Sequence, residues 1–183
     1  LSTEPAREGL QMNTTRFSRL SFAILLAVSC GTGRAQHYRD TGPLNTWTTN
    51  EVSRVTEPDG QLRVVRAAKQ DGFDRVVFEF ADGVPGFSVS YPTSTLYDIG
   101  TQARLKISGG AVLEVSMHFN YGEHTDIYQG FPRGKLDLPA LLEIKNIDFS
   151  EGVMAFALGL RERHAFRVST LTKPARLVVD VRH

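Results

Sequence analysis

The chain has 183 residues, 41% of them hydrophobic and 22% charged, which supports a folded core and excludes a disordered polyelectrolyte. Lysine and arginine total 21 against 20 acids, so the net charge of +1 supplies no bulk attraction to nucleic acid, and no nucleic-acid partner is expected. The single cysteine, Cys30, excludes an internal disulfide and any zinc site built on a cysteine cluster.

Residues 1–11 carry no element pattern and read as an over-extended N-terminus ahead of Met12. Arg16 and Arg19 make a short basic start, and residues 21–28 follow as an uncharged, mostly apolar run. That run is shorter than the ~20 apolar residues a bilayer span needs. A basic start followed by a short apolar stretch marks residues 12–30 as a signal peptide. Two exits are open. Ala27-Val-Ser-Cys30 resembles a lipobox, with small Ser29 before the cysteine and Ala27 where leucine is usual. Cys30 would then carry the lipid and anchor the chain to a membrane. Alternatively, Gly33-Arg-Ala35 is a small-x-small site, and cleavage after residue 35 leaves Gln36 as the N-terminus. The lipid-anchored form is the expected one, because the sole cysteine closes the apolar run. Either route exports the chain to the cell envelope or beyond. Loss of the residues before Cys30 removes Arg7, Arg16, Arg19, Glu4 and Glu8 and leaves a net charge of zero.

Residues 31–60 are polar and carry Gly42-Pro43, Glu57-Pro58 and Asp59-Gly60, which reads as a linker. Trp47 lies within it and is expected to pack on the domain edge. From residue 62 onward the period is two. Residues 62–67 alternate partly. Residues 73–80 place Val76, Phe78 and Phe80 on one face and Val77 and Glu79 on the other, a half-buried strand. Residues 87–91 alternate up to Pro92. Residues 104–108 and 111–117 alternate on either side of Gly109-Gly110, which predicts a two-residue hairpin. Residues 118–138 read as a long loop, with a short helix or 3₁₀ turn placed near 136–142. Residues 142–149 predict a strand, and 153–160 form a near-continuous apolar run after the turn Ser150-Glu-Gly152. Residues 166–171 and 175–181, joined through Thr172-Lys-Pro174, close the domain. About nine short, mainly antiparallel strands with frequent turn signals predict an all-β fold, a small β-sandwich over residues 61–183.

Two segments look alike. Phe73-Asp-Arg-Val-Val-Phe-Glu-Phe80 and Ala175-Arg-Leu-Val-Val-Asp-Val181 each hold an arginine, an apolar run and an acid. These segments, with Pro85-Gly-Phe-Ser-Val-Ser-Tyr91 and Phe166-Arg-Val-Ser-Thr-Leu171, resemble an AMIN-like domain, a relative of the AMIN domain of secreted amidases and secretins. The resemblance spans about residues 62–183. It implies a β-sandwich of the cell envelope, often behind a lipoprotein signal. AMIN domains proper target their partners to peptidoglycan. Amidase activity is not implied, because the chain carries no counterpart of the amidase catalytic domain.

Catalytic chemistry finds little support in the residues. The only local cluster of potential ligands, His118, Glu123, His124 and Asp126, has poor zinc spacing across Gly122. No HExxH, GxSxG or phosphate-cradling loop is present. No enzymatic activity, cofactor or metal is therefore expected. A binding surface is better supported. Arg75, Arg167 and Arg176 stand on otherwise apolar strands, where Asp74 and Asp180 could pair with them across the sheet. Guanidinium forks suit carboxylates, and aromatic rings suit sugar faces. The loop bearing Tyr121, Tyr128 and Phe131 is a second candidate surface. The expected partner is peptidoglycan or another envelope polymer. The alternative is an envelope protein docked along an exposed strand edge.

Overall fold

The computed structural model describes residues 39–56, 60–98, 100–119 and 135–183. They form nine strands in two antiparallel sheets: β1 (Val52–Arg54), β2 (Leu62–Gln70), β3 (Phe73–Phe80), β4 (Gly86–Ser90), β5 (Ala111–His118), β6 (Leu141–Ser150), β7 (Val153–Leu160), β8 (Phe166–Thr172) and β9 (Ala175–Arg182). One sheet has the order β1-β4-β5-β7-β6 and the other β2-β3-β9-β8. No helix occurs among the described residues. The predicted all-β sandwich is what the described residues form.

The core lies between the two sheets and draws on alternate residues of each. In β3, Asp74, Val76, Phe78 and Phe80 are buried, while Phe73, Arg75, Val77 and Glu79 point outward. Phe78 meets Phe156 of the opposite sheet with ring centroids 5.2 Å apart. The apolar run of β7 is continuous because this strand is covered on both faces. Met154, Phe156, Leu158 and Leu160 enter the main core, and Ala155 and Ala157 pack under Leu96, Leu105 and Ile107. The residues of that second face are small because the covering segment lies close. A Cβ on Gly159 would stand 2.2 Å from the Ser108 carbonyl oxygen. The outer face of this sheet is therefore partly roofed by the chain's own 96–107 segment.

Three local expectations are corrected. Residues 104–108 do not form a strand; they make only the isolated bridge Arg104–Tyr97 and serve as part of that roof. Gly109-Gly110 accordingly is not a hairpin turn between two strands. Gly109 has φ +115°, and Gly110 donates its N–H to the Leu160 carbonyl at 2.9 Å, so the glycines permit a close backbone approach to the end of β7. Residues 136–142 hold no helix; the Leu138 N–H bonds back to the Leu141 carbonyl at 3.0 Å and feeds directly into β6. The turn after β6 does follow its signal. Glu151 and Gly152 have φ of +50° and +76°, the double positive pair that suits a tight hairpin.

The stretch read as polar linker is also partly structural. Its described residues supply β1, with Val52 fully buried, and a bridge from Thr48 to Phe166 along the edge of β8. β1 is only three residues long and Val52 is its one apolar residue, too little to stand out as a strand in sequence.

One buried charge ties the sheets together. Asp74 faces the core at 0% exposure. Its Oδ2 accepts the N–H groups of Ala140 at 2.6 Å and Leu141 at 2.9 Å, at the start of β6 in the other sheet. Its Oδ1 lies 3.8 Å from Nε2 of His183. Asp74 thus pairs with backbone amides across the sandwich and not with an arginine across its own sheet. Replacement Asp74→Ala should cost about 2–4 kcal/mol, because two buried N–H groups lose their acceptor. Asp74→Asn, which keeps one carbonyl oxygen, should cost less. Equilibrium denaturation of the two variants beside the parent measures both; equal stability of all three would show that the inter-sheet tie contributes nothing.

Candidate functional site

The similar segments of β3 and β9 are register partners. Arg75 lies opposite Asp180, Val77 opposite Val178, and Glu79 opposite Arg176. Each strand carries its arginine four residues before its acid. Antiparallel pairing about the Val77–Val178 centre therefore sets arginine against acid twice, and all of these side chains point outward.

At the first pairing, Asp180 is clamped from both sides. Arg75 donates Nε to Oδ1 at 2.7 Å and Nη2 to Oδ2 at 3.0 Å. Arg167, opposite Asp180 on β8, donates Nη2 and Nε to Oδ2 at 2.7 and 3.2 Å. The Asp180 side chain is only 2% exposed beneath them. Hydrogen bonding to Asp180 raises the Arg75 pKa above its ordinary value, against the opposing effect of partial burial. At the second pairing, Glu79 Oε2 accepts Nη2 of Arg66 at 2.7 Å and Nε of Arg176 at 2.8 Å. Val178 lies between the two clusters, 4% exposed although it faces outward. Long arginine stems beside it can cover apolar surface while their heads stay wet.

Aromatic rings complete the first cluster. Trp47 meets Phe73 edge to face at 6.0 Å. The Arg167 and Arg182 guanidiniums stand over the Trp47 ring at 4.7 and 4.5 Å. Arg75 and Arg167 stand over Phe73 at 5.2 and 5.4 Å. Trp47 is brought there by its own backbone, since Asn45 N–H bonds to Val168 O and Thr48 exchanges two bonds with Phe166, each at 2.8 Å. It packs on the domain edge, as its sequence context suggests, and its ring lies against the arginine cluster.

Arg75 and Arg167 are thus brought together on one carboxylate, and Arg176 belongs to the second cluster, four residues away on β9 or about 13 Å at strand rise. Tyr121, Tyr128, Phe131 and Cys30 lie outside the described residues. His118 ends β5 and is half-buried, and burial holds its imidazole below the ordinary range. Glu123, His124 and Asp126 lie outside the described residues, among which no metal-ligating trio forms. Sequence reasoning did not single out Phe73, Arg66 or Arg182. The signal was available for Phe73, which opens the first similar segment, and for its register partner Arg182, which directly follows the second.

The outer face of β2-β3-β9-β8 therefore presents Arg66, Arg75, Arg167, Arg176 and Arg182 against only Asp180 and Glu79. A chain whose net charge is only +1 thus carries an excess of three positive charges on one sheet face. The family model of the AMIN-like domain matches residues 60–183. The chain belongs to the AMIN-like domain family. No curated protein and no solved structure matches it. The matched span of this AMIN-like domain contains β2 to β9, hence the whole arginine-bearing sheet, while β1 and Trp47 precede it.

The Asp180 clamp makes an asymmetric stability prediction. Asp180→Asn leaves Arg75 and Arg167 with side chains 39% and 28% exposed, so water can solvate them, and should cost about 1–3 kcal/mol. The double change Arg75→Ala with Arg167→Ala strands a buried carboxylate and should cost more, about 3–5 kcal/mol. Urea denaturation at neutral pH ranks the two; a less damaging double variant would mean that Asp180 is not held by these arginines.

Proposed function

We propose that this AMIN-like domain is a non-catalytic binding module of the cell envelope, contacting peptidoglycan through the outer face of the sheet β2-β3-β9-β8. The observation that carries the reading is the concentration of five arginines on that face, set against two carboxylates. Peptidoglycan carries carboxylates on its peptides, and guanidinium groups pre-set by ion pairs and rings meet such groups with little further ordering. Family membership supports an envelope role, since AMIN domains proper target peptidoglycan. The opposite sheet is a poorer candidate because the 96–107 segment roofs part of its outer face. Docking of a protein strand is less favoured along β8, where Asn45 and Thr48 already occupy backbone positions beside Phe166 and Val168.

Co-sedimentation of the purified chain with isolated sacculi tests the reading. Arg66→Gln combined with Arg182→Gln is the informative variant, because Arg176 remains on Glu79 and both clamps on Asp180 are kept. Saturable binding by the parent, reduced at least tenfold in the variant, is expected. A parent chain that stays in the supernatant across salt and pH would overturn the reading in favour of a protein partner.

We further propose that Cys30 carries a lipid that anchors the exported domain to a membrane. The supporting pattern is the basic start, the apolar run and the lipobox-like residues that end at the only cysteine. Cys30→Ser should shift the protein from the membrane to the soluble fraction of cells expressing it. Unchanged membrane partition would refute lipid anchoring.

A further inference from the structure

Three guanidiniums meet at the Trp47 corner of the sheet, and one carboxylate compensates them. Arg75 and Arg167 both use their Nε and Nη2 groups on Asp180, and neither makes another hydrogen bond among the described residues. Their Nη1 groups are left available, on side chains that solvent reaches. Arg182 is exposed and forms no ion pair among the described residues, yet it is held over the Trp47 ring at 4.5 Å. Gathering three like charges is unfavourable unless a counter-anion offsets it.

The rings argue about the kind of ligand. Two guanidiniums lie over Trp47 and two over Phe73, and the rings contact each other edge to face. Their π surfaces are committed to cations, so they orient guanidiniums in place of stacking on sugars. What the corner offers outward is a set of planar N–H donors with two uncompensated positive charges. A planar carboxylate matches that fork with two parallel hydrogen bonds.

We infer that Arg75, Arg167 and Arg182 form a carboxylate-binding subsite, so that this domain reads the free carboxylates of peptidoglycan peptides and not the sugar rings. The identity of the polymer rests on the reading above; the carboxylate specificity rests on the geometry of this corner.

The experiment compares binding of the full chain to native sacculi, to sacculi whose peptide carboxylates have been converted to amides, and to neutral N-acetylglucosamine oligomers. Soluble polyglutamate serves as a carboxylate probe independent of peptidoglycan. Arg182→Gln and Arg182→Lys are tested beside the parent, with thermal melts to check that each is folded. The expected result is binding to native sacculi, at least about tenfold weaker binding after amidation, and a similar loss in Arg182→Gln that Arg182→Lys partly restores. Equal binding to native and amidated sacculi, or tight binding of the neutral oligomers, would overturn the carboxylate subsite while leaving peptidoglycan as the ligand. Absence of binding to any sacculi would instead remove peptidoglycan. The subsite would then survive only if polyglutamate binds the parent and is lost in Arg182→Gln, and would fall with it otherwise.

Discussion

A carboxylate 2% exposed cannot remain unpaired, and the sheet β2-β3-β9-β8 is organised around the one on Asp180. Arg75 on one side and Arg167 on the other each face it in register, so three strands are aligned by a single acid. A one-residue slip of β9 would turn Asp180 to the opposite face and leave both arginines without their shared acid. The second acid, Glu79, repeats the arrangement with Arg66 and Arg176. Register, outward charge and the location of the arginines are therefore one fact seen from three sides.

The two sheets share the interior but not the exterior. The inner faces meet through contacts such as Phe78 with Phe156, and Asp74 reaches across to the amides of Ala140 and Leu141. The outer face of the five-stranded sheet bears Ala155, Ala157 and Gly159, small enough to accept the 96–107 segment. The four-stranded sheet instead bears arginines, whose ion pairs occupy two donors on each clamping guanidinium and leave others outward. Structural ion pairs and a binding face are thus compatible uses of the same side chains. The acids fix where the guanidiniums sit, and the remaining N–H groups are what the proposed ligand would meet.

Membership of the AMIN-like family supports an association with the cell envelope, and the arginine-bearing sheet is the face proposed for the contact. The aromatic residues change how that contact is understood. A tryptophan near a carbohydrate-rich partner suggests stacking on sugar, but Trp47 already lies beneath Arg167 and Arg182. It is a fixture for charge. Its own position depends on the backbone pairing of Asn45 and Thr48 with β8, so a residue outside the family-matched span helps to build the corner.

The sequence alone determined the sandwich, because a period of two is a local property that each strand carries in its own residues. Residues 73–80 alternate in burial as their pattern requires, and β7 reads as continuously apolar because it is covered on both faces. Arg75, Arg167 and Arg176 were legible as candidates, since alternation sets them on the face opposite Val76, Val168 and Leu177. Elements whose form depends on distant partners were not legible. Residues 104–108 alternate like a strand yet lie over β7, and three-residue β1 has too short a pattern to announce itself. The tertiary structure alone decided which acid meets which arginine: Asp74 and Asp180 look equivalent in sequence, but register turns the first toward β6 and the second toward Arg75 and Arg167. It also decided that Trp47, Phe73 and Arg182 converge, because contacts between residues so far apart in the chain are fixed by strand pairing and not by neighbouring sequence.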